Sequence, residues 1–322
     1  MIYKPPFHLT QKIFNLSQGI SLELGKLEGE RIDLPSVKLR KKNNIRTIQN
    51  SLQIEGNTLT LEQVTDIFEG KRIIAPEKDI IEVKNAIEVY KRFAELKPES
   101  IEDLLLAHAI LMQGLSKEAG SWRRGSVGIF KDNEITHLPP KADRVPALMN
   151  DLFSFIQKDL ETPWLLKACI FHYELEFIHP FDDGNGRMGR LWQQLLLTKE
   201  HPVFQYIPVE ELIRDNQEQY YRILQECDHA GDSTQFIEFS LGLILKSLTN
   251  YSSLTQFKLH DSQSRLSYAY LKIEGEWFSR KSYLSVHKTI STSTASRDLE
   301  FGVDNRMLLK KGSKNQTIYK FI

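Results

Sequence analysis

His179-Pro180-Phe181-Asp182-Asp183-Gly184-Asn185-Gly186-Arg187-Met188-Gly189-Arg190 lies between two apolar-periodic runs, Trp164 to Ile178 and Leu191 to Lys199. The pattern predicts helix, tight loop, helix. Pro180 disfavours helical geometry at His179 and so ends the first helix there. Gly184 and Gly186 allow turns of positive φ, which leave successive backbone N–H groups pointing inward at a helix start, an anion site. Arg187 and Arg190 fall in the first turn of the second helix, three apart and on one face. Two cations there oppose the helix dipole by roughly 0.3–1 kcal/mol each, a cost offset if both guanidiniums fork onto a multiply charged anion. Asp183 is a hard oxygen ligand of the kind Mg²⁺ uses when it bridges phosphates, and His179 titrates in the range that suits a general base. Taken singly, a histidine at a helix end or an aspartate before glycine is more often structural. Together in one loop they point to phosphate chemistry.

This segment resembles the core motif of Fic-domain proteins, His-x-Phe-x-Asp/Glu-Gly-Asn-Gly-Arg-x-x-Arg, at every fixed position. The resemblance implies a mainly α fold that moves AMP from ATP to a Ser, Thr or Tyr hydroxyl of a target protein, with ATP and Mg²⁺ required. It makes His179 the general base, Phe181 a core anchor and Asp183 the metal ligand. Gly184, Asn185 and Gly186, with Met188 and Gly189 in the same turn, bind the nucleotide, and Arg187 and Arg190 hold its β- and γ-phosphates.

Upstream, Ile45 to Glu55 reads as a short helix ended by Gly56, a usual residue just past a helix end. Thr60 and Gln63 form a capping box that starts the next. A carboxylate at the C-terminal end of a helix, as at Glu55, is disfavoured by the dipole unless a cation compensates. Ser51-Leu52-Gln53-Ile54-Glu55-Gly56 resembles the inhibitory motif of Fic proteins, Ser/Thr-x-x-x-Glu-Gly/Asn. The resemblance pairs Glu55 with Arg190, blocking the seat of the γ-phosphate, with Ser51 helping to hold the pair. Residues 11–30 read as a helix, and the basic run Lys38 to Lys42 as a connecting stretch of solvated surface. Helices follow over 79–96 and 101–115; His108 reads as a core residue without chemistry.

Between Gly120 and Pro140 the periodicity changes to alternation around the polar turn 131–134, a β-hairpin. Its exposed edge suits an extended segment of another protein. The resemblance makes 125–140 the flap on which the target docks, with Thr136 and His137 near the nucleotide. Tyr221 and Asp228, in the helix over 216–229, fall where the family lines its adenine pocket; many relatives have Asn at the position of Asp228. From 265 onward the order helix, two short helices, two strands reads as a winged helix-turn-helix. Residues 251–322 hold 12 Lys and Arg against 6 Asp and Glu, a net +6 hidden by the zero charge of the whole chain. DNA is a partner for 279–322, through Ser291, Thr292, Ser293, Thr294, Ser296, Arg297 and Lys314; a winged helix that binds only proteins is the other reading.

The expected fold class is thus mainly α: a Fic helical bundle with a β-hairpin flap, plus a small C-terminal winged helix-turn-helix domain. The boundaries are an N-terminal helical extension 1–44, a Fic domain 45–248, a Ser/Thr/Gln-rich linker 249–264 and the winged helix 265–322. A hydrophobic content of 41 % with 26 % charged residues is ordinary for a globular chain. Cys169 and Cys227 offer neither a disulfide framework nor zinc spacing. No apolar run reaches the roughly 18 residues of a membrane span, and the first ten residues lack a signal-peptide core. The expectation is a cytoplasmic protein without a membrane partner, with a homodimer compatible. Two functional classes stand: an AMP transferase, with a variant that also removes AMP, and a nucleotide-sensing DNA-binding regulator. The intact His179 and Asp183 favour the enzyme.

Overall fold

The computed structural model describes residues 3–29, 37–125, 129–131, 134–273, 277–287, 290–313 and 316–322, with side chains described outside 28–40, 126–137, 253–260 and 271. Its contacts divide the chain into two units, Met1–Leu248 and Thr249–Ile322.

Helices α1 (Gln11–Gly29), α2 (Val37–Ile54), α3 (Leu61–Phe68), α4 (Glu77–Lys91) and α5 (Ile101–Leu111) come first. An antiparallel hairpin follows, β1 (Ile129–Lys131) with β2 (Glu134–His137). Next come α6 (Val145–Lys158), α7 (Trp164–Ile178), α8 (Asn185–Glu200), α9 (Val209–Asp215), α10 (Gln217–Ala230) and α11 (Thr234–His260). The core of the first unit is built on α7, which packs along α8. Apolar residues nearly encircle α7 and bury it on most sides, as an all-round hydrophobic pattern requires. Phe171 meets Phe153 edge-on at 5.4 Å and stacks near Trp192 at 6.4 Å. The buried indole of Trp192 donates to Pro98 O at 2.9 Å, so its one polar atom is satisfied. The capping box opens α3 as expected, with Thr60 Oγ1 accepting from Gln63 N and Gln63 Oε1 accepting from Thr60 N.

Two expectations about connecting stretches fail. The basic run 38–42 is the opening of α2, which begins at Val37 and carries the expected 44/45 boundary inside one helix. Lysine and arginine are good helix formers, so a basic run continues a helix readily. Lys41 places its ammonium on Glu69 at 3.3 Å and over the Phe68 ring. The stretch 249–264 is helical as well: α11 reaches His260, and Asp261 caps the next helix by accepting from Ser264 N at 2.6 Å. The helix penalty of Ser, Thr and Gln is a few tenths of a kcal/mol each, too little to open a linker.

In the second unit, α12 (Ser262–Lys272), β3 (Phe278–Ser279), α13 (Arg280–Val286), α14 (Thr292–Asp304), β4 (Leu308–Lys311) and β5 (Ile318–Phe321) surround a small core of Leu266, Phe278, Tyr283, Leu299 and Leu308. The antiparallel sheet has the order β3-β5-β4; β3 was not expected. Arg265 on α12 grips Asp298 on α14 with Nε and Nη2 on its two carboxylate oxygens, 2.6 Å each, and Tyr283 donates a third bond at 3.2 Å. Asp298 is fully buried. Asp298→Ala should therefore strand a buried guanidinium and lower the stability of this unit by about 3–5 kcal/mol in urea unfolding; a loss under about 1 kcal/mol would show that water reaches the pair.

Candidate active site

The loop between α7 and α8 begins with strain. His179 takes the left-handed conformation, φ 50 and ψ 59, which a non-glycine residue adopts at roughly 1–2 kcal/mol. It caps α7, its N–H donating to Leu175 O at 2.9 Å. What holds it there is Arg123, an almost fully buried residue that the sequence did not single out. Arg123 Nε donates to His179 O at 2.6 Å and its backbone N–H to Pro180 O at 2.9 Å. The same guanidinium reaches Ile178 O at 3.3 Å, Gly125 O at 3.0 Å and Pro140 O. One side chain thus ties both feet of the hairpin segment to the loop that carries His179. Burial pulls its pKa down, opposed by Asp182. The imidazole Nδ1 of His179 lies 3.3 Å from Glu176 O. A carbonyl only accepts, so this assigns the proton to Nδ1 and leaves the basic lone pair on Nε2.

His108 is a second anchor, and the reading of it as a core residue without a role at the site was too weak. Its Nδ1 accepts from Gly120 N–H at 2.9 Å and its Nε2 donates to Asp183 O at 2.9 Å. Its ring stacks on the fully buried Phe181 at 3.6 Å. Burial lowers the pKa of His108 to about 4, so the ring stays neutral and keeps this tautomer. The Asn185 amide closes the loop on itself, accepting from Phe181 N at 2.9 Å and donating to Phe181 O at 2.8 Å. That side chain is therefore committed to the turn, and only its backbone faces a ligand. Met188 N–H already donates to Gly184 O at 3.0 Å, and Gly189 packs against His172. The backbone donors without intrahelical partners end before Met188, so Met188 and Gly189 shape the cradle from behind.

Gly184, at φ +89, starts α8. Gly186 lies inside α8 and does not take the positive φ expected of it; a Cβ there would lie 2.4 Å from Glu55 Oε1 and 3.1 Å from Arg190 Nη1, so a side chain would displace the Glu55 carboxylate. A carboxylate from upstream thus rests in the anion cradle of α8. Glu55 Oε1 accepts from Arg190 Nη2 at 2.7 Å, while Ser51 accepts from Nε through Oγ at 3.1 Å and from Nη2 through its carbonyl at 3.0 Å. Arg190 is 2 % exposed. Burial works against its charge, but Glu55, then Tyr220, Glu176 and Tyr221, more than offset this and raise its pKa. The buried Nη1, beside the Gly186 backbone, has no hydrogen-bond partner among the described residues. Such an orphaned donor at a side-chain-free helix start fits a phosphate oxygen.

Arg187 is also buried and turned onto carboxylates, Asp183 Oδ1 at 2.9 Å and Glu82 Oε1 at 3.3 Å. Asp183 is more than half exposed and presents oxygen to solvent. Among the described residues no cluster of three or more His, Cys, Asp or Glu forms a metal cage. The single carboxylate fits a Mg²⁺ that takes its remaining ligands from phosphates and water. Behind the cradle, Tyr220 donates to Glu176 Oε1 at 3.0 Å and meets His172 Nε2 at 3.0 Å, and His172 Nδ1 meets Gln193 at 2.8 Å. Tyr221, partly exposed, reaches Ile54 O at 3.4 Å, so it touches the end of α2. Asp228 accepts from Tyr173 at 3.0 Å. The side chains of Thr136 and His137 lie outside the described residues, although their backbone forms β2; Lys314 lies outside them altogether. No helix among the described residues is long and apolar enough to cross a membrane.

The fold and this loop define a Fic-type site. The chain matches the profile of the Fic/DOC family over residues 98–197. A crystal structure of a Fic family protein from Desulfovibrio desulfuricans superposes with a TM-score of 0.76 at 38 % identity, covering 99 % of this chain and 98 % of that one. Fic-1 from C. elegans shares the fold, with a TM-score of 0.61 at 21 % identity over 77 % of this chain and 72 % of that chain. A protein adenylyltransferase Fic of Nematostella vectensis is 30 % identical over 79 % of this chain and 61 % of its own length. One from Aedes aegypti is 29 % identical over 72 % and 46 %. The chain thus spans about half the length of these curated relatives. It belongs to the Fic/DOC family.

His108 and His172 are both held neutral by burial, with pKa values lowered to about 4 and about 3. Unfolded histidines bind protons below about 6.5, so stability should fall as pH drops from there toward 4, by on the order of 2–3 kcal/mol for each. Urea midpoints across this range check it, and His108→Gln should flatten the dependence; an unchanged slope in that variant would remove His108 as a source.

Proposed function

We propose that the chain is a protein adenylyltransferase that transfers AMP from ATP to a hydroxyl of a target protein, held in check by Glu55. The observation that carries the reading is the carboxylate of Glu55 lying in the cradle over Gly186, on the buried guanidinium of Arg190. A γ-phosphate needs the same donors, and two anions cannot share them without repulsion. The names of the Nematostella and Aedes relatives support the activity.

In this reading His179 Nε2 takes the proton of the target hydroxyl as that oxygen bonds to the α-phosphorus. The bond to the β-phosphate breaks, and pyrophosphate leaves with the electron pair. Arg190, Arg187 and the first N–H groups of α8 stabilise the charge on the departing group, a matter of positioning and electrostatics. Asp183 would hold Mg²⁺, which supplies further charge neutralisation at the phosphates. Strand β2 offers its backbone to an extended segment of the target, and Arg123 keeps that strand's foot in register with His179.

A second reading concerns residues 279–322. The order α12-β3-α13-α14-β4-β5 is that of a winged helix, and the start of α14 leaves Ser291, Thr292, Ser293 and Arg297 exposed within a unit of net charge +6. Duplex DNA is the partner this favours; its affinity would fall steeply with salt.

Purified protein incubated with labelled ATP and Mg²⁺ tests the main reading. Glu55→Gly should raise AMP incorporation into itself or a partner about tenfold or more, the effect of freeing an occupied site. Adding His179→Ala should then remove at least ~10²-fold of that transfer. Equal incorporation in wild type and Glu55→Gly would sink the inhibitory role, and transfer surviving His179→Ala would sink the base.

A further inference from the structure

We propose that Glu82 of α4 is a positioning residue that ties the Glu55 turn to Arg187, so that an anion drawing Arg187 away loosens the segment carrying Glu55. The proposal deepens the nucleotide-site reading above and rests on it. Glu82 is 4 % exposed and splits its carboxylate between two elements. Oε1 accepts from Arg187 Nη1 at 3.3 Å; Oε2 accepts from Asn57 Nδ2 at 2.8 Å. Asn57 stands two residues past Glu55, is itself buried, and also donates to Asp79 O at 3.2 Å while its Oδ1 accepts from Leu59 N at 3.1 Å. Thr58 adds its N–H and hydroxyl on Asp79 Oδ2 at 2.9 and 2.6 Å. Helix α4 therefore clamps the turn from one side, and Glu82 is the group in that clamp which also touches the motif helix.

The two halves of the contact are unequal. The Arg187–Glu82 distance of 3.3 Å is long for a charge-assisted bond, which prefers about 2.7–2.9 Å. Arg187 Nε is buried without a hydrogen-bond partner among the described residues. The guanidinium is under-satisfied where it lies, and a polyphosphate with several acceptors competes well for it. Once Arg187 turns away, Glu82 keeps, among the described residues, Asn57 and the exposed Lys78 at 3.9 Å. A buried carboxylate so deprived is driven toward water or that lysine, and Asn57 follows or loses its bond. Coupling of this kind is reciprocal: a seated Glu55 turn weakens anion binding by the factor that the anion weakens the turn.

Calorimetric titration of the Mg²⁺ complex of α,β-methylene-ATP, which cannot transfer AMP, tests the link without any activity readout. Wild type, Glu55→Gly, Glu82→Gln, Asn57→Ala and the two double variants with Glu55→Gly are compared. Glu55→Gly should bind about 5-fold tighter or more. Asn57→Ala, which cuts the link from the turn side and leaves Glu82 and Arg187 in place, should tighten wild type by about 3-fold or more, as should Glu82→Gln if it folds. Neither should add more than about 2-fold on Glu55→Gly, since their effect passes through the turn. If Glu55→Gly binds tighter while Asn57→Ala leaves wild-type affinity unchanged, or if the singles act equally in both backgrounds, the coupling is wrong and the nucleotide site stands. If no variant binds the probe, the nucleotide site itself falls, and the coupling with it.

Discussion

A guanidinium held almost entirely out of water is the constraint on which this site depends. Arg190 is the sixth residue of α8, one turn further in than expected, and its side chain is buried beside the helix start. Its charge cannot be neutralised by losing a proton, so the fold must bring anionic and polar partners to it. It does so from three directions: Ser51 and Glu55 at the end of α2, and Glu176 and Tyr220 from α7 and α10. Helices far apart in sequence are drawn to one point because a buried, unpaired charge would cost several kcal/mol. The arrangement still leaves Nη1, beside the Gly186 backbone, without a hydrogen-bond partner among the described residues.

Around that charge the loop is over-determined. His179 is held in a strained conformation by its own helix-ending hydrogen bond and by Arg123; Asn185 closes the turn through its amide; His108 fixes Asp183 O from behind. Each bond is worth roughly 0.5–1.5 kcal/mol net, and together they outweigh the strain at His179. The backbone of such a loop is fixed before any charge arrives, which is how electrostatic stabilisation becomes effective. The hairpin feet share the same guanidinium as the histidine, so whatever the hairpin holds is referenced to His179 rather than to a distant scaffold.

The second unit follows a different logic. Its small apolar core is supplemented by a buried bidentate pair, Arg265 with Asp298, which links α12 to α14. A unit of this size has little apolar area to bury, and an ion pair with a tyrosine hydroxyl on it fixes helix packing in a specific way. The start of α14 is exposed; Ser291 caps it, and Ser296 accepts from Arg280 of α13 at 2.9 Å.

How much of this could be read from the residues alone follows from the range of the forces involved. The twelve residues from His179 to Arg190 betrayed the cradle because its demands are local: a proline that stops a helix, a glycine at 184 that takes positive φ, cations three apart. Ser51 and Glu55 were legible for the same reason, with the family pattern supplying the partner across 135 residues. The start of α2 and the course of α11 were misread, because composition argued for connecting chain where weak propensities yield to a continuing helix. Arg123, His108 and Glu82 stayed hidden. Each is one polar residue in an otherwise ordinary stretch, and its role exists only once packing has removed water and brought a carbonyl, a ring or a second side chain within bonding distance. Local backbone chemistry therefore determined what the loop is, while long-range burial decided which side chains hold it.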